Sequence, residues 1–230
     1  SFGQQLEAYD DTDAKALPGV IDVIRIGAKG RGLLAKETGN WTVRLGDTDK
    51  VVVLAESTWA AMQGKKMIKT TWTGISDLES TELHDEELIA LLDGKNFKTL
   101  RKDGEVEKAF KAADKVIERT YESPFLPHNC MEPMNFFANV TDTEVHLAGP
   151  IQTPESSAKA VADMLERDLD EVSCEMTRMG GGFGRRLYGD FVLEAAEISD
   201  AIRKPVKMVS SREDDMTTGV YRPAIKYRIK

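Results

Sequence analysis

The residues richest in chemistry form one short run, Met179-Gly180-Gly181-Gly182-Phe183-Gly184-Arg185-Arg186. Glycines accept positive φ and let a ligand approach the backbone closely. Consecutive exposed amides in such a turn form an anion-binding concavity, and Arg185 and Arg186 offer charge-assisted donors suited to phosphate. The run is therefore a candidate cradle for an anionic or phosphorylated cofactor. It matches neither of two common phosphate fingerprints. For Gly-x-Gly-x-x-Gly, the third glycine falls on Arg185 when read from Gly180 and on Leu187 when read from Gly182. A P-loop read from Gly184 to Gly189 puts Asp190 and Phe191 where Lys and Ser or Thr must stand. The plainer alternative is a ligand-free glycine turn; Phe183 followed by Gly184 is unusual for one.

Two further segments carry polar groups of interest. In His128-Asn129-Cys130-Met131-Glu132-Pro133, an extended backbone puts His128, Cys130 and Glu132 on one side, and these are ligand types for a soft metal. No further ligand follows at a suitable spacing, so no directly ligated metal is expected and Glu132 is read as a hydrogen-bond acceptor for backbone. Gln152, within Gly149-Pro150-Ile151-Gln152-Thr153-Pro154, stands at a helix entrance. It either donates to a cofactor or satisfies the turn. Arg212 and Arg222 are read as structural ion-pair formers.

These groups need elements to position them. Val20 to Ile26 and Val51 to Ala55 are β-branched runs that read as strands, with turn chemistry at Thr38-Gly39-Asn40 and Leu45 to Asp49 between them. Ser57 caps an amphipathic helix whose Trp59, Met62 and Met67 are expected in the core. Asp85 to Leu92 reads as a short helix ended by Gly94, and Val106 to Ala113 as another, followed by a strand from Val116 to Tyr121. Met134 to Val140 and Glu144 to Ala148 read as a hairpin. Thr153-Pro154-Glu155 starts a helix, with Thr153 as cap and Pro154 in the first turn. Glu171 to Thr177 alternates as a strand into the glycine run. Asp190 is expected to cap a helix over Phe191 to Ile202, stopped by Pro205 before a strand over Val206 to Val209. Ile225, Tyr227 and Ile229 alternate with Lys226, Arg228 and Lys230 as a last strand.

Composition narrows the classes. The chain has 230 residues, 41% hydrophobic and 30% charged, enough to bury a core without staples. Its net charge of -8, without a basic stripe, argues against nucleic acid. No apolar run has membrane-spanning length. Cys130 and Cys174 are the two cysteines; they suggest no disulfide framework, and an iron–sulfur cluster takes about four thiolates. The last strand stops in mid-alternation, as in a piece of a longer protein.

The glycine run resembles the signature loop of the molybdenum-binding subunit in the xanthine dehydrogenase and aldehyde oxidase family, and its ending in Arg185-Arg186 resembles the isoquinoline 1-oxidoreductase type. His128 to Pro133, Gln152 to Pro154, Lys204-Pro205-Val206-Lys207, Ser211 to Met216 and Tyr221-Arg222-Pro223-Ala224 fit the same pattern in order. A Gln found before the His in many such enzymes is Leu126 here. The implied fold class is α+β: the remnant of an α/β hammerhead domain (1–74), a connector (75–104), and the first part of a molybdopterin-binding α+β domain (105–230). The resemblance implies cofactor contacts at Gly181, Gly182, Phe183, Gly184, Arg185 and Gln152. The cofactor is molybdopterin, alone or as its cytosine dinucleotide. The reaction is oxidation of an N-heterocycle or aldehyde with water as oxygen source, and the partners are a small two-iron, two-sulfur subunit and the rest of the large subunit. The family's general base is a glutamate in a downstream Gly-x-Gly-Glu stretch. That stretch does not occur in these residues, so the isolated chain is expected to be inactive and cofactor-free, with no catalytic residue of its own. Two alternatives stay open: a non-catalytic scaffold or interaction domain, and a nucleotide-dependent enzyme using the loop differently.

Overall fold

A computed structural model describes residues 4–29, 49–73, 80–96 and 98–230. The chain is mixed α+β, and its contacts divide it into two units. One comprises Ser1–Ser76 and Pro127–Val220, the other Asp77–Leu126 and Tyr221–Lys230. These units cut the chain differently from the three-part division read from sequence.

The larger unit is built on a four-stranded sheet in the order Val206–Val209, Asn135–Val140, Val145–Gly149, Val172–Met176. The first three strands are antiparallel and the last runs parallel to its neighbour. A parallel pair cannot be joined by a tight turn, and helix Pro154–Leu165 supplies the crossover. Phe136, Ala138 and Val140 alternate inward with Val145 and Leu147. They bury against Ala158 and Val161 of that helix and Phe191, Val192 and Ala195 of helix Asp190–Ile202. Gly149 ends its strand under the Phe136 ring: a Cβ there would lie 2.3 Å from Phe136 Cδ2.

The same unit contains two antiparallel pairs, Gln5–Asp10 with Lys69–Thr73 and Val20–Ile26 with Lys50–Ala55. Helix Thr58–Met67 is capped by the Ser57 side chain, which accepts from Ala60 N at 3.2 Å. Its expected core face is wrong. Trp59 is 73% exposed and Met67 is exposed, while Ala60 and Gly64 are buried. Small residues win because the helix lies directly on the strands: a Cβ on Gly64 would be 3.0 Å from both Val20 and Val53. The expected turns at Thr38 to Asn40 and Leu45 to Thr48 lie outside the described residues.

The smaller unit has helices Thr81–Asp93 and Val106–Ala112 and the antiparallel pair Arg119–Ser123 with Ile225–Ile229. The Arg119–Ser123 strand begins three residues later than Val116, where sequence placed it. Among the described residues this unit buries no hydrophobic side chain fully. Along strand Ile225–Ile229 hydrophobicity does not decide which side is covered. Ile229 and Tyr227 are exposed, whereas the Lys226 side chain is 7% exposed between Asp85 and Glu122. The long aliphatic stem of lysine packs while its ammonium meets two carboxylates. Among the described residues no helix is long and apolar enough to cross a membrane.

Candidate functional site

The glycine run lies between strand Val172–Met176 and helix Asp190–Ile202, as the spacing predicts. Arg185 N donates to Gly182 O at 2.8 Å and Leu187 N to Gly184 O at 3.3 Å, closing a short turn over Arg185–Leu187. Gly181 (φ +103°), Phe183 (φ +48°) and Gly184 (φ +90°) all adopt positive φ. Phe183 is the exception, a bulky side chain in a region that disfavours it. Its ring is 63% exposed. Gly181 makes room for it, since a Cβ there would lie 2.8 Å from the ring.

The concavity is filled from within. Gly180 N donates to Glu132 Oε2 at 2.8 Å, and Gly184 N to Gln152 Oε1 at 3.3 Å. The anion that this turn holds is thus the protein's own carboxylate. A Cβ on Gly180 would sit 2.5 Å from Glu132 Cβ, and one on Gly182 would sit 2.6 Å from Gln152 Oε1. Both glycines are therefore dictated by close approach. Gln152 satisfies the loop through its side-chain oxygen and, through its own N–H, reaches Arg186 O at 2.9 Å. Thr153 stands at the cap position of its helix, but its hydroxyl donates to Leu187 O at 2.9 Å instead of capping.

Neither arginine points outward, which corrects their reading as phosphate donors. Arg186 is fully buried and distributes its guanidinium among four acceptors. Nε donates to Gly181 O (2.9 Å), Nη1 to Pro150 O (3.0 Å), and Nη2 to Glu132 O (2.9 Å) and Glu132 Oε2 (3.1 Å). One planar donor fork thus ties three chain segments together. Arg185, 4% exposed, makes a bidentate pair with Asp190, both contacts 2.7 Å. Asp190 is consequently the first residue of the helix and not its cap, a position taken by Gly189. The two guanidinium carbons lie 5.6 and 5.9 Å from the centre of the Phe191 ring, within cation–π range. Burial alone would lower the affinity of Arg185 for its proton; Asp190 more than offsets this and raises it.

The predicted common face of His128, Cys130 and Glu132 does not form. Asn129 adopts φ +49° and breaks the extended alternation. Cys130 is fully buried, with its thiol 3.5 Å from Gly182 O. Among the described residues no group of three or more His, Cys, Asp or Glu is placed to hold a metal ion. His128 approaches the loop from another side: its Nε2 would lie 3.6 Å from a Cβ on Gly184. Arg212, read as an ion-pair former, pairs with Asp215 at 2.9 Å and also donates to Met131 O at 2.8 Å. Sequence reasoning missed the Pro150 carbonyl and Asn135, whose side-chain amide donates to Glu132 Oε1 at 3.0 Å. No motif marks a backbone acceptor, and Asn135 looks like any strand residue.

Glu132 is expected to register pH. Partial burial raises its carboxyl's affinity for a proton, but the Gly180 amide, Asn135, Arg186 and Lys207 outweigh this and hold it below its ordinary value. The unfolded chain then binds more protons in the acidic range. The stabilisation is fully present above the ordinary carboxyl value and is lost as pH falls through the lowered one. Glu132→Gln should cost about 1–2 kcal/mol at neutral pH, after discounting for partial exposure. Urea midpoints of the two proteins should converge as pH falls below the ordinary carboxyl range. A pH-independent gap would count against this role.

Phe183 and Gln152 remain exposed, and Gly181 and Gly182 beside them are half-buried. The arrangement suits a flat ligand with polar edges resting on backbone and ring, rather than a phosphate needing several free amides.

A family model for the molybdopterin cofactor-binding domain matches residues 91–230. Over its full length the chain is 29% identical to 28% of a membrane-bound aldehyde dehydrogenase (pyrroloquinoline-quinone) of Gluconacetobacter polyoxogenes. Aldehyde oxidase 1 of Cavia porcellus is 30% identical over 96% of the chain and 17% of its own length. Among solved structures, aldehyde oxidoreductase from Desulfovibrio gigas superposes with a TM-score of 0.67 at 17% identity, over 96% of this chain and 27% of that one. Quinoline 2-oxidoreductase from Pseudomonas putida 86 does so with a TM-score of 0.60 at 19% identity, over 92% and 30%. The chain thus spans less than a third of the length of these relatives. Because that family model covers more than half of the chain, the chain belongs to the molybdopterin cofactor-binding domain family.

Proposed function

We propose that this chain is the loop-bearing part of a molybdenum hydroxylase large subunit that oxidises an N-heterocycle or aldehyde with water as oxygen source. The observation that carries the reading is the exposed Phe183 ring at positive φ, on a turn whose glycines are dictated by close approach. Strain of this kind persists where the surroundings enforce it and gathers at ligand-contacting sites. Molybdopterin, alone or as the cytosine dinucleotide, supplies the two-electron redox centre when bound. Gly181, Gly182, Phe183, Gly184 and Gln152 orient it through backbone, ring and side-chain amide. Arg185, turned inward, supports the loop from behind.

In this reading residues 1–74 are a hammerhead-like domain, 75–104 a connector and 105–230 the first part of the cofactor domain. The Arg185-Arg186 ending favours the isoquinoline 1-oxidoreductase branch. The two cysteines of these 230 residues are too few for an iron–sulfur cluster; in this reading electrons leave through a small two-iron, two-sulfur subunit. The rest of the large subunit completes the site, and the isolated chain is inactive.

The test uses the full-length protein containing these residues. Released pterin is measured by fluorescence after oxidative denaturation, and molybdenum by elemental analysis. Pterin is expected, and Gly182→Val should reduce its retention by about tenfold, equivalent to ~1.4 kcal/mol. A protein that holds a nicotinamide or adenine nucleotide tightly and no pterin would sink the proposal.

A further inference from the structure

We infer that Lys50 is a positioning residue for the loop Gly180–Arg186, acting on it through Glu194, Asp190 and Arg185. Lys50 lies outside the residues that match the cofactor-domain model, at the start of strand Lys50–Ala55. Asp190 and Glu194 stand four residues apart on helix Asp190–Ile202 and so share one face. Arg185 grips Asp190 with both Nη atoms, and the Lys50 ammonium is hydrogen-bonded to Glu194 Oε1. The Arg185–Asp190 pair is almost wholly excluded from water, and Lys50 and Glu194 keep only part of their side chains exposed. Two carboxylates one helical turn apart are thus matched by two cations in a poorly solvated place.

The arrangement makes Arg185 sensitive to a residue it does not touch. Without Lys50, Glu194 is left as a desolvated carboxylate beside Asp190. It must then take up a proton or draw on the other cation that acts on it, Arg185. Burial already pushes Glu194 toward its protonated form, and Lys50 opposes this. Arg185 is part of the loop: its N–H donates to Gly182 O, the bond that closes the turn. Any re-sharing of its guanidinium therefore pulls on the backbone that carries Phe183. Residues just after the paired strand Val20–Ile26 also grip the helix farther along. Glu197 accepts from Gly27 N and Lys29 N at 3.0 and 3.2 Å, and Asp200 pairs with the Lys29 ammonium. Gly27, Lys29 and Lys50 thus hold one acidic face of the helix, Glu194 to Asp200, over about two turns. That this loop meets a cofactor rests on the function proposed above; the coupling itself does not.

Hydrogen exchange of the full chain, resolved for a peptide spanning residues 179–188, tests this. Lys50→Met should speed exchange of the Arg185 and Leu187 amides by about tenfold or more, given the size of buried-pair losses. Lys50→Arg should leave it unchanged. Lys50→Met/Glu194→Leu, which removes the surplus carboxylate as well, should return it to within about twofold of the parent, because deleting both partners of a buried pair costs far less than deleting one. Unchanged loop exchange in Lys50→Met, or a double variant as fast as the single, overturns the inference. Should Lys50→Met not fold, Lys50→Gln serves: it keeps a hydrogen-bond donor beside Glu194 but removes the charge, so the loop should still exchange faster than in the parent, and an unchanged rate overturns the inference. In the full-length enzyme, pterin retention is read in parallel. Loop exchange that responds while pterin retention does not would refute the cofactor reading and leave the coupling standing.

Discussion

Arg186→Met should lower the unfolding free energy of the chain by about 3–5 kcal/mol, read as a fall in urea midpoint at constant m. Methionine fills much of the same volume, so the loss isolates the hydrogen-bonding role. The carbonyls of Gly181, Pro150 and Glu132 and one oxygen of the Glu132 carboxylate would lose their donor together. Each neutral carbonyl left unsatisfied in a buried place costs about 1–3 kcal/mol, and some of that is recovered where water can reach. Burial works against the charge on Arg186, and Glu132 supports it. Arg186→Lys should restore only part of the loss, because a compact ammonium cannot span acceptors on three segments as a planar fork does. A loss below about 1 kcal/mol for Arg186→Met would mean that the loop is held by its own turn bonds and not by this side chain.

Asp190→Ala should cost a similar amount, about 3–5 kcal/mol, because it leaves the Arg185 guanidinium buried and uncompensated. The informative comparison is with Arg185→Leu/Asp190→Leu. A buried pair replaced whole by apolar residues of similar volume often costs little, so the double variant should be more stable than Asp190→Ala. It should nevertheless hold the loop less uniquely, since nothing polar then fixes residue 185 against the helix. Gly219 supplies a second reason for tight tolerance at this spot, because a Cβ there would lie 2.5 Å from Arg185 Nη2. Chemical denaturation of the three proteins decides the matter. A double variant no more stable than Asp190→Ala would show that the loss does not come from the uncompensated Arg185 charge.

Much of the fold was written locally. The strands Val20–Ile26 and Asn135–Val140, the Ser57-capped helix and the helix opened by Pro154 all follow from β-branching, alternation and turn chemistry within a few residues. So did the place of the glycine run between a strand and a helix, and the reading of Glu132 as an acceptor for backbone. The errors share one cause. Trp59 and Met67 were placed inward by their hydrophobicity, yet the close approach of Gly64 to Val20 and Val53 decided which face is buried. The charge of Lys226 likewise gives no hint that its side chain is covered, because Asp85 and Glu122 converge on it from distant positions in the chain.

The loop divides along the same line. Its four glycines and its phenylalanine are visible as residues, and they were enough to mark a backbone made for close contact and to exclude two nucleotide fingerprints. The direction of its arginines was not. Adjacent arginines read as a pair of exposed donors, because nothing nearby in sequence reveals that Asp190 takes one while Gly181, Pro150 and Glu132 take the other. Sequence determined which residue types stand at the turn and the spacing that lets a tight turn form. Tertiary structure decided which of them face a ligand, because a guanidinium points to wherever distant segments bring unpaired oxygen atoms within about 3 Å.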